Sequence, residues 1–168
     1  RIWCAAVSSG QEAYSLAIVF QEVLEKIRPA RRHSLQIFAT DLDKDAIERA
    51  RTGLYPAGIA DEMSEERLRR FFVEAEQGYR VAKSIRDNVI FAPQNVIMDP
   101  PFTKLDMVSC RNLLIYLAPE LQKKLLPLFH YSLNPAGLLF LGSAETIGGL
   151  GDIFEPVGTS ARLYRRRE

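Results

Sequence analysis

Residues 1–27 read RIWCAAVSSGQEAYSLAIVFQEVLEKI: a short apolar run, a break, and a longer periodic segment. Arg1–Val7 predicts a strand, and Ser8, Ser9 and Gly10 interrupt it. From Gln11 to Ile27 the apolar residues Tyr14, Leu16, Ala17, Phe20, Val23, Leu24 and Ile27 recur at spacings of three and four. That is the period of an amphipathic helix, and Pro29 stops it.

The pattern repeats along the chain. Ser34–Thr40 predicts a second strand, and Asp41 and Asp43 supply helix-start chemistry for a helix over Lys44–Arg51 that Gly53 ends. Val89–Ala92, Leu105–Cys110 and Gly137–Gly142 read as further strands. Ala118–Leu133 reads as a helix with Pro119 in its first turn. Phe154–Val157 and Ala161–Arg165 read as a closing hairpin. Residues 54–87 break the rhythm. There Met63–Val73 predicts a helix capped by Ser64, and Tyr79–Ile85, between Gly78 and Asp87, predicts a short hairpin. The expected fold is α/β: a mostly parallel, seven-stranded, Rossmann-like sheet with helices on both faces and a small α/β insertion at 54–87.

Composition narrows the function classes. With 22 Lys+Arg, 21 Asp+Glu and a net charge of +1, no global field draws the chain to nucleic acid or membrane. No apolar run approaches the roughly 20 residues of a membrane span, and no signal peptide is evident. Neither nucleic-acid binding nor membrane insertion is expected. Cys4 and Cys110 sit in apolar strands and form no metal-binding spacing, so they read as buried hydrophobes of a cytoplasmic protein. His33 and His130 are too isolated for a metal site. The abrupt start in a strand suggests a domain of a longer, multidomain chain.

Ligands of open α/β sheets bind beyond the carboxyl ends of the strands, which directs attention to 8–12, 41–43, 93–96 and 110–116. Gly10 lets the backbone take positive φ and lets a ligand approach. Asp41 ends the second strand, where a carboxylate can accept from both ribose hydroxyls. It can equally be a helix cap, a role open to Asp43 as well. Asn95 has donor and acceptor groups for an adenine edge, and reads as readily as a turn asparagine. Asp99-Pro100-Pro101-Phe102 matches the signature of nitrogen methyltransferases, but it precedes the strand Leu105–Cys110 instead of following it, so a proline-stiffened loop is the better reading.

The run Leu105-Asp106-Met107-Val108-Ser109-Cys110-Arg111-Asn112-Leu113-Leu114-Ile115-Tyr116-Leu117 resembles the (F/L)D-hydrophobic-CRN-hydrophobic-IY signature of CheR-type chemoreceptor methyltransferases. Other segments agree in order: Arg1-Ile2-Trp3 with Ser8–Ser15, Ala39-Thr40-Asp41-Leu42-Asp43, Gly53-Leu54-Tyr55, Asn95-Val96 and Leu141-Gly142-Ser143-Ala144-Glu145. The likeness covers essentially the whole chain, and the run Asp99–Leu117 and the ending Phe154–Arg167 most resemble CheR modules fused to CheB-type esterase and sensor domains.

The resemblance implies a class I methyltransferase domain over residues 1–168 that uses S-adenosylmethionine and releases S-adenosylhomocysteine. It implies that Ser8, Gly10 and Glu12 hold the amino-acid end of the cofactor, Asp41 the ribose and Leu42 the adenosine face. Asn95 and Val96 would contact adenine. Cys110, Arg111 and Asn112 would line the floor, and Arg111 and Tyr116 would serve the transfer itself. Arg111 as a structural ion-pair partner and Tyr116 as a core residue are the competing readings. The implied acceptors are glutamate carboxylates of a receptor or signalling protein, which needs no general base because a glutamate of pKa near ~4.3 is already ionised at pH 7. The basic residues Arg67, Arg69, Arg70, Arg80, Lys83 and Arg86 make 54–87 a candidate docking segment, or else a solvated face. Two departures stand out. Gln11 replaces the first acid of the family's usual pair, and the family's upstream helical domain, with its arginine-bearing segment, is not among these residues. Two other functions fit the same sequence: a non-catalytic module that binds the cofactor or its product, and a nitrogen methyltransferase using Asp99–Phe102.

Overall fold

The computed structural model describes residues 1–168. In chain order the elements are β1 (Ile2–Ala5), α1 (Gln11–Ile27), β2 (Ile37–Asp41), α2 (Lys44–Thr52), β3 (Leu54–Tyr55), a 3-10 turn (Ala57–Glu62), α3 (Glu65–Phe71), β4 (Phe72–Ala75), β5 (Gly78–Val81) and α4 (Lys83–Arg86). There follow β6 (Val89–Pro93), β7 (Leu105–Cys110), a 3-10 turn (Leu114–Tyr116), α5 (Pro119–Ser132), β8 (Leu133–Leu141), β9 (Phe154–Pro156) and β10 (Leu163–Arg166).

Seven strands form one sheet in the order β6-β2-β1-β7-β8-β10-β9. The first five run parallel, and β10 is antiparallel to both its neighbours. From β1 the chain builds outward through β2 and β6, then returns to the other side of β1 to lay down β7 and β8. The order therefore reverses between β1 and β7, which makes the carboxyl ends of these two strands the switch point where ligands bind in such sheets.

Alternation along β1 separates two cores. Cys4 joins a cluster with Ala13, Tyr14, Ala17 and Ile18 of α1 and Ile47 and Ala50 of α2. Trp3 and Ala5 join the other, with Leu125, Leu126 and Phe129 of α5. Trp3 is fully buried, meets Phe129 and Phe102 edge-on at 5.5 Å, and donates Nε1–H to Thr40 Oγ1 at 2.9 Å. Phe102 also stacks on Phe38 at 4.3 Å, so the proline-stiffened segment before β7 anchors the crossover in the core.

The insertion folds as a second sheet, β3-β5-β4. Its hairpin differs from the expected Tyr79–Ile85. It joins β4 to β5 across Glu76 and Gln77, and Lys83–Arg86 is a helical turn. Gly78 explains the shift. It is a hairpin residue with φ +143° whose missing Cβ would lie 2.1 Å from the Tyr55 carbonyl, so β3 packs directly on it. Likewise β8 begins at Leu133 instead of Gly137, pairing with Leu105 across an irregularity that contains Pro135 and Ala136, the latter at φ +60°.

Candidate functional site

The turn after β1 is built from unusual backbone. Ala6, Ser8 and Gly10 all have positive φ, and Gly10 packs so closely that a Cβ would lie 2.8 Å from Ala50 Cβ and 3.0 Å from the Phe91 ring. Tyr55 fixes the turn from the insertion, donating its hydroxyl to the Ser9 carbonyl at 2.7 Å. The turn delivers the Ser8 amide to Asp41 Oδ2 at 2.8 Å, while the Asp43 amide reaches Asp41 Oδ1 at 2.9 Å.

The competition between Asp41 and Asp43 is thereby resolved. Asp43 is the N-cap of α2, accepting from the amides of Asp45 and Ala46. Asp41 is left half-buried at the strand end with one protein donor on each oxygen. An ionised carboxylate offers about four lone-pair sites, so Asp41 keeps acceptor capacity for two further donors, the number a ribose diol supplies. Leu42 beside it is 71% exposed, an apolar surface at the mouth of the site.

Glu12, in the first turn of α1, accepts from the Ser109 hydroxyl of β7. Burial pushes its carboxyl above the ordinary range; the Ser109 hydrogen bond and Arg111 pull it down, and Glu145 pushes it up. Ser109 is fully buried on the face of β7 opposite Val108 and Cys110, which is why its hydroxyl meets α1.

On the outer side of β2 the Gln94 backbone amide donates to the Asp41 carbonyl at 2.8 Å and brings the 93–99 turn alongside. Asn95 Oδ1 accepts from the amides of Ile97 and Met98, and Asp99 accepts from the Asn95 amide at 2.7 Å. The oxygen of Asn95 is thus spent on the turn, and only its Nδ2 is left to offer a ligand. The Val96 side chain packs against the core, as does that of Cys110, which is fully buried. Cys110 therefore has only its backbone to offer a ligand.

Arg111 and Asn112 follow β7, Asn112 in the left-handed conformation at φ +62°. The Arg111 guanidinium lies 4.8 Å over the Phe140 ring, forms no ion pair, and buries Nε without a partner. The ion-pair reading of Arg111 is not what is observed. Tyr116 is 80% exposed, so it is not a core residue. Two residues to which the sequence pattern gives no role also belong here. Ser109 holds Glu12, and Glu145, only 2% exposed, holds the turn that follows β7. A serine inside an otherwise apolar strand and the acid closing the Leu141–Glu145 motif were the available signals.

The basic residues of the insertion are largely committed. Arg67 forms a two-point pair with Glu22, Arg70 pairs with Glu25, and Lys83 with Asp87. Arg80 and Arg86 donate to the carbonyls of Thr52 and Val81. Arg69 alone of the six makes no such bond. No helix is long and apolar enough to cross a membrane.

Comparison with known proteins adds to this geometry. Residues 1–163 match the family described as CheR methyltransferase, SAM binding domain. Chemotaxis protein methyltransferase 1 of Vibrio cholerae is 41% identical over 160 residues, which is 94% of this chain and 58% of that protein. An uncharacterized 104.1 kDa protein of Rhodobacter capsulatus is 38% identical over 165 residues, 98% of this chain and 17% of that protein. The chain thus spans little more than half of one relative and a small part of the other. Among solved structures, the glycopeptide N-methyltransferase MtfA has a TM-score of 0.52 at 12% identity, covering 83% of this chain and 44% of that one. PKMT2 of Rickettsia typhi, in complex with AdoHcy, has a TM-score of 0.50 at 16% identity, covering 83% and 20%. At such identities the likeness is one of fold, that of the class I SAM-dependent methyltransferases.

Proposed function

The chain belongs to the CheR methyltransferase family, as its SAM-binding domain, and on that premise we propose that it directs methyl transfer from S-adenosylmethionine to glutamate carboxylates of a signalling protein. The observation that carries this reading is Asp41. Capping of α2 falls to Asp43, so the carboxylate at the end of β2 is left with acceptor capacity beside the switch point.

The residues present fit the cofactor. In this reading Asp41 takes the ribose hydroxyls, Leu42 covers the adenosine, and Asn95 Nδ2 with the Val96 backbone meets adenine. Glu12 takes the ammonium of the amino-acid end, above the Gly10 turn and beside the Ser8 backbone. The Cys110 backbone and Asn112 complete the floor. When bound, S-adenosylmethionine supplies an electrophilic methyl on a sulfonium, and its departure leaves a neutral thioether.

The chain's own work is positional. An ionised carboxylate attacks without losing a proton, so no residue has to act as base. Placing a carboxylate in a partly buried site without a cation is costly. Arg111, stacked on Phe140 with no protein anion of its own, is suited to hold it. Tyr116 stands exposed at the edge of the same turn, next to the proposed methyl position. Aligning nucleophile and methyl supplies the acceleration, for which effective molarities of about 10⁵–10⁸ M are known. We place the protein substrate against residues 54–87. Tyr55 links that insertion to the cofactor turn through Ser9.

The test is incubation with methyl-labelled S-adenosylmethionine and the signalling domain of a receptor, followed by mild base. Label released as methanol is expected, and Arg111→Ala should abolish it. Base-stable label would contradict carboxylate methylation, and tight cofactor binding without transfer would contradict catalysis.

A further inference from the structure

Glu145 is the one fully buried carboxylate in the chain, and it forms no ion pair. Such a group is costly to bury unless its oxygens are satisfied by donors. Three backbone amides do this: Gly142 and Asn112 donate to Oε1, both at 2.8 Å, and Ile115 donates to Oε2 at 3.3 Å. Two of the three belong to the Arg111–Tyr116 turn, whose amides Glu145 therefore gathers onto one point. Carbonyls of the same segment are held from the other side. Gln122 of α5 donates Nε2–H to Leu114 at 2.8 Å and to Leu117 at 3.0 Å. The turn is clamped by its donors on Glu145 and by its acceptors on Gln122. Gly142 leaves the clamp its room: a Cβ there would lie 2.7 Å from both Glu145 Oε1 and Asn112 Oδ1.

We propose that Glu145 is a positioning residue for methyl transfer, holding the Arg111–Tyr116 turn in the shape that sets Arg111 and Tyr116 against the substrate carboxylate. The inference rests on the methyltransferase reading above. Glu145 touches neither substrate nor cofactor; it acts through the backbone that carries the groups that do.

A glutamine in its place keeps the shape but only one acceptor oxygen. That oxygen can still serve Gly142 and Asn112, but the new NH2 then faces the Ile115 N–H, donor against donor. The turn must give way at the end that carries Tyr116. Misplacement by about 1 Å costs about 10²-fold in rate. The polar anchors Asp41 and Glu12 lie on other elements, and only Asn112 of the cofactor floor belongs to this turn, so cofactor affinity should fall far less than the rate.

The experiment compares wild type, Glu145→Gln and Gly142→Ala for kcat of methyl transfer and for S-adenosylhomocysteine Kd, with amide exchange at Ile115 as a third readout. Expected for both variants are a rate loss of about 10²-fold, a much smaller loss of S-adenosylhomocysteine affinity, and faster exchange at Ile115. A merely structural role would lower rate and affinity together, in step with melting temperature. Wild-type rates in Glu145→Gln, or parallel losses of rate and affinity, would overturn the inference. If Glu145→Gln does not fold, Gly142→Ala decides on the same readouts. A wild-type protein that transfers nothing to carboxylates overturns the methyltransferase reading instead, a result distinct from transfer that is indifferent to Glu145.

Discussion

Replacing Gly10 by alanine tests the turn on which the cofactor site is built. Two costs add. At φ +79° an L-residue occupies the left-handed region, at roughly 1–2 kcal/mol. The new methyl would also stand 2.8 Å from Ala50 Cβ and 3.0 and 3.1 Å from Phe91 ring carbons. Neither neighbour can swing away. Ala50 is in the buried face of α2, and the Phe91 ring packs on Tyr14 at 5.4 Å. Overpacking of this kind costs about 1–3 kcal/mol. The sum, about 2–5 kcal/mol, corresponds to a melting-temperature drop of about 4–20 °C at about 2–4 °C per kcal/mol for a chain of this size. Thermal unfolding followed by far-ultraviolet circular dichroism measures it. Adding Ala50→Gly should recover the part due to the closest contact but not the part due to φ. A Gly10→Ala chain that melts within about 2 °C of wild type, less than the smallest sum above, would refute the packing described for this turn.

Glu12 gives a pH prediction. Because burial raises its carboxyl, the folded chain binds more protons than the unfolded one between the ordinary glutamate range and the raised value. This group's contribution to stability is then fully present below that window and is lost as pH rises through it. Cofactor affinity runs the other way, since only the ionised form pairs with an ammonium, so S-adenosylhomocysteine binding should weaken as pH falls toward the window. Glu12→Gln should abolish that dependence and cost about 10- to 150-fold in Kd, the loss of one charge-assisted hydrogen bond. The same variant should melt no lower than wild type near pH 8, where the buried charge is a burden. At the periphery, Arg67→Ala removes a solvent-facing pair with Glu22, and its stability cost should stay within about 1 kcal/mol, readable in the same melting experiment.

The parts of the fold legible in the sequence are those where one physical signal acts alone. The helix expected over Gln11–Ile27 and the strand over Leu105–Cys110 coincide with α1 and β7. In both, apolar periodicity is bounded by unambiguous breakers, Gly10 and Pro29 for the helix and the turn at Arg111 for the strand. The β4–β5 hairpin is displaced from its expected place because Gly78 reads locally as a boundary. Its need to lack a Cβ arises from β3 packing against it, a contact between segments far apart in sequence. The start of β8 is hidden because Pro135 and Ala136 read as loop although the strand continues through them as an irregularity.

In the candidate site, position after a strand directed attention to Asp41 and Asn95, while Glu12 and Arg111 drew their expected roles from the family resemblance. Local sequence left Asp41 and Asp43 as equal candidates for the helix cap, and only the direction of the Ser8 and Ala46 amides separates them. Ser109 and Glu145 escaped because their roles depend on which face of a strand meets α1 and on a turn 30 residues distant.

The most direct measurement is calorimetric titration of this chain with S-adenosylmethionine and S-adenosylhomocysteine, with Asp41→Ala alongside. Saturable binding of both by the wild type, abolished by the substitution in a chain that remains folded, is the expected result. A folded wild-type chain that binds neither, or an Asp41→Ala variant that binds as well as wild type, would contradict the cofactor site at the ends of β1 and β2.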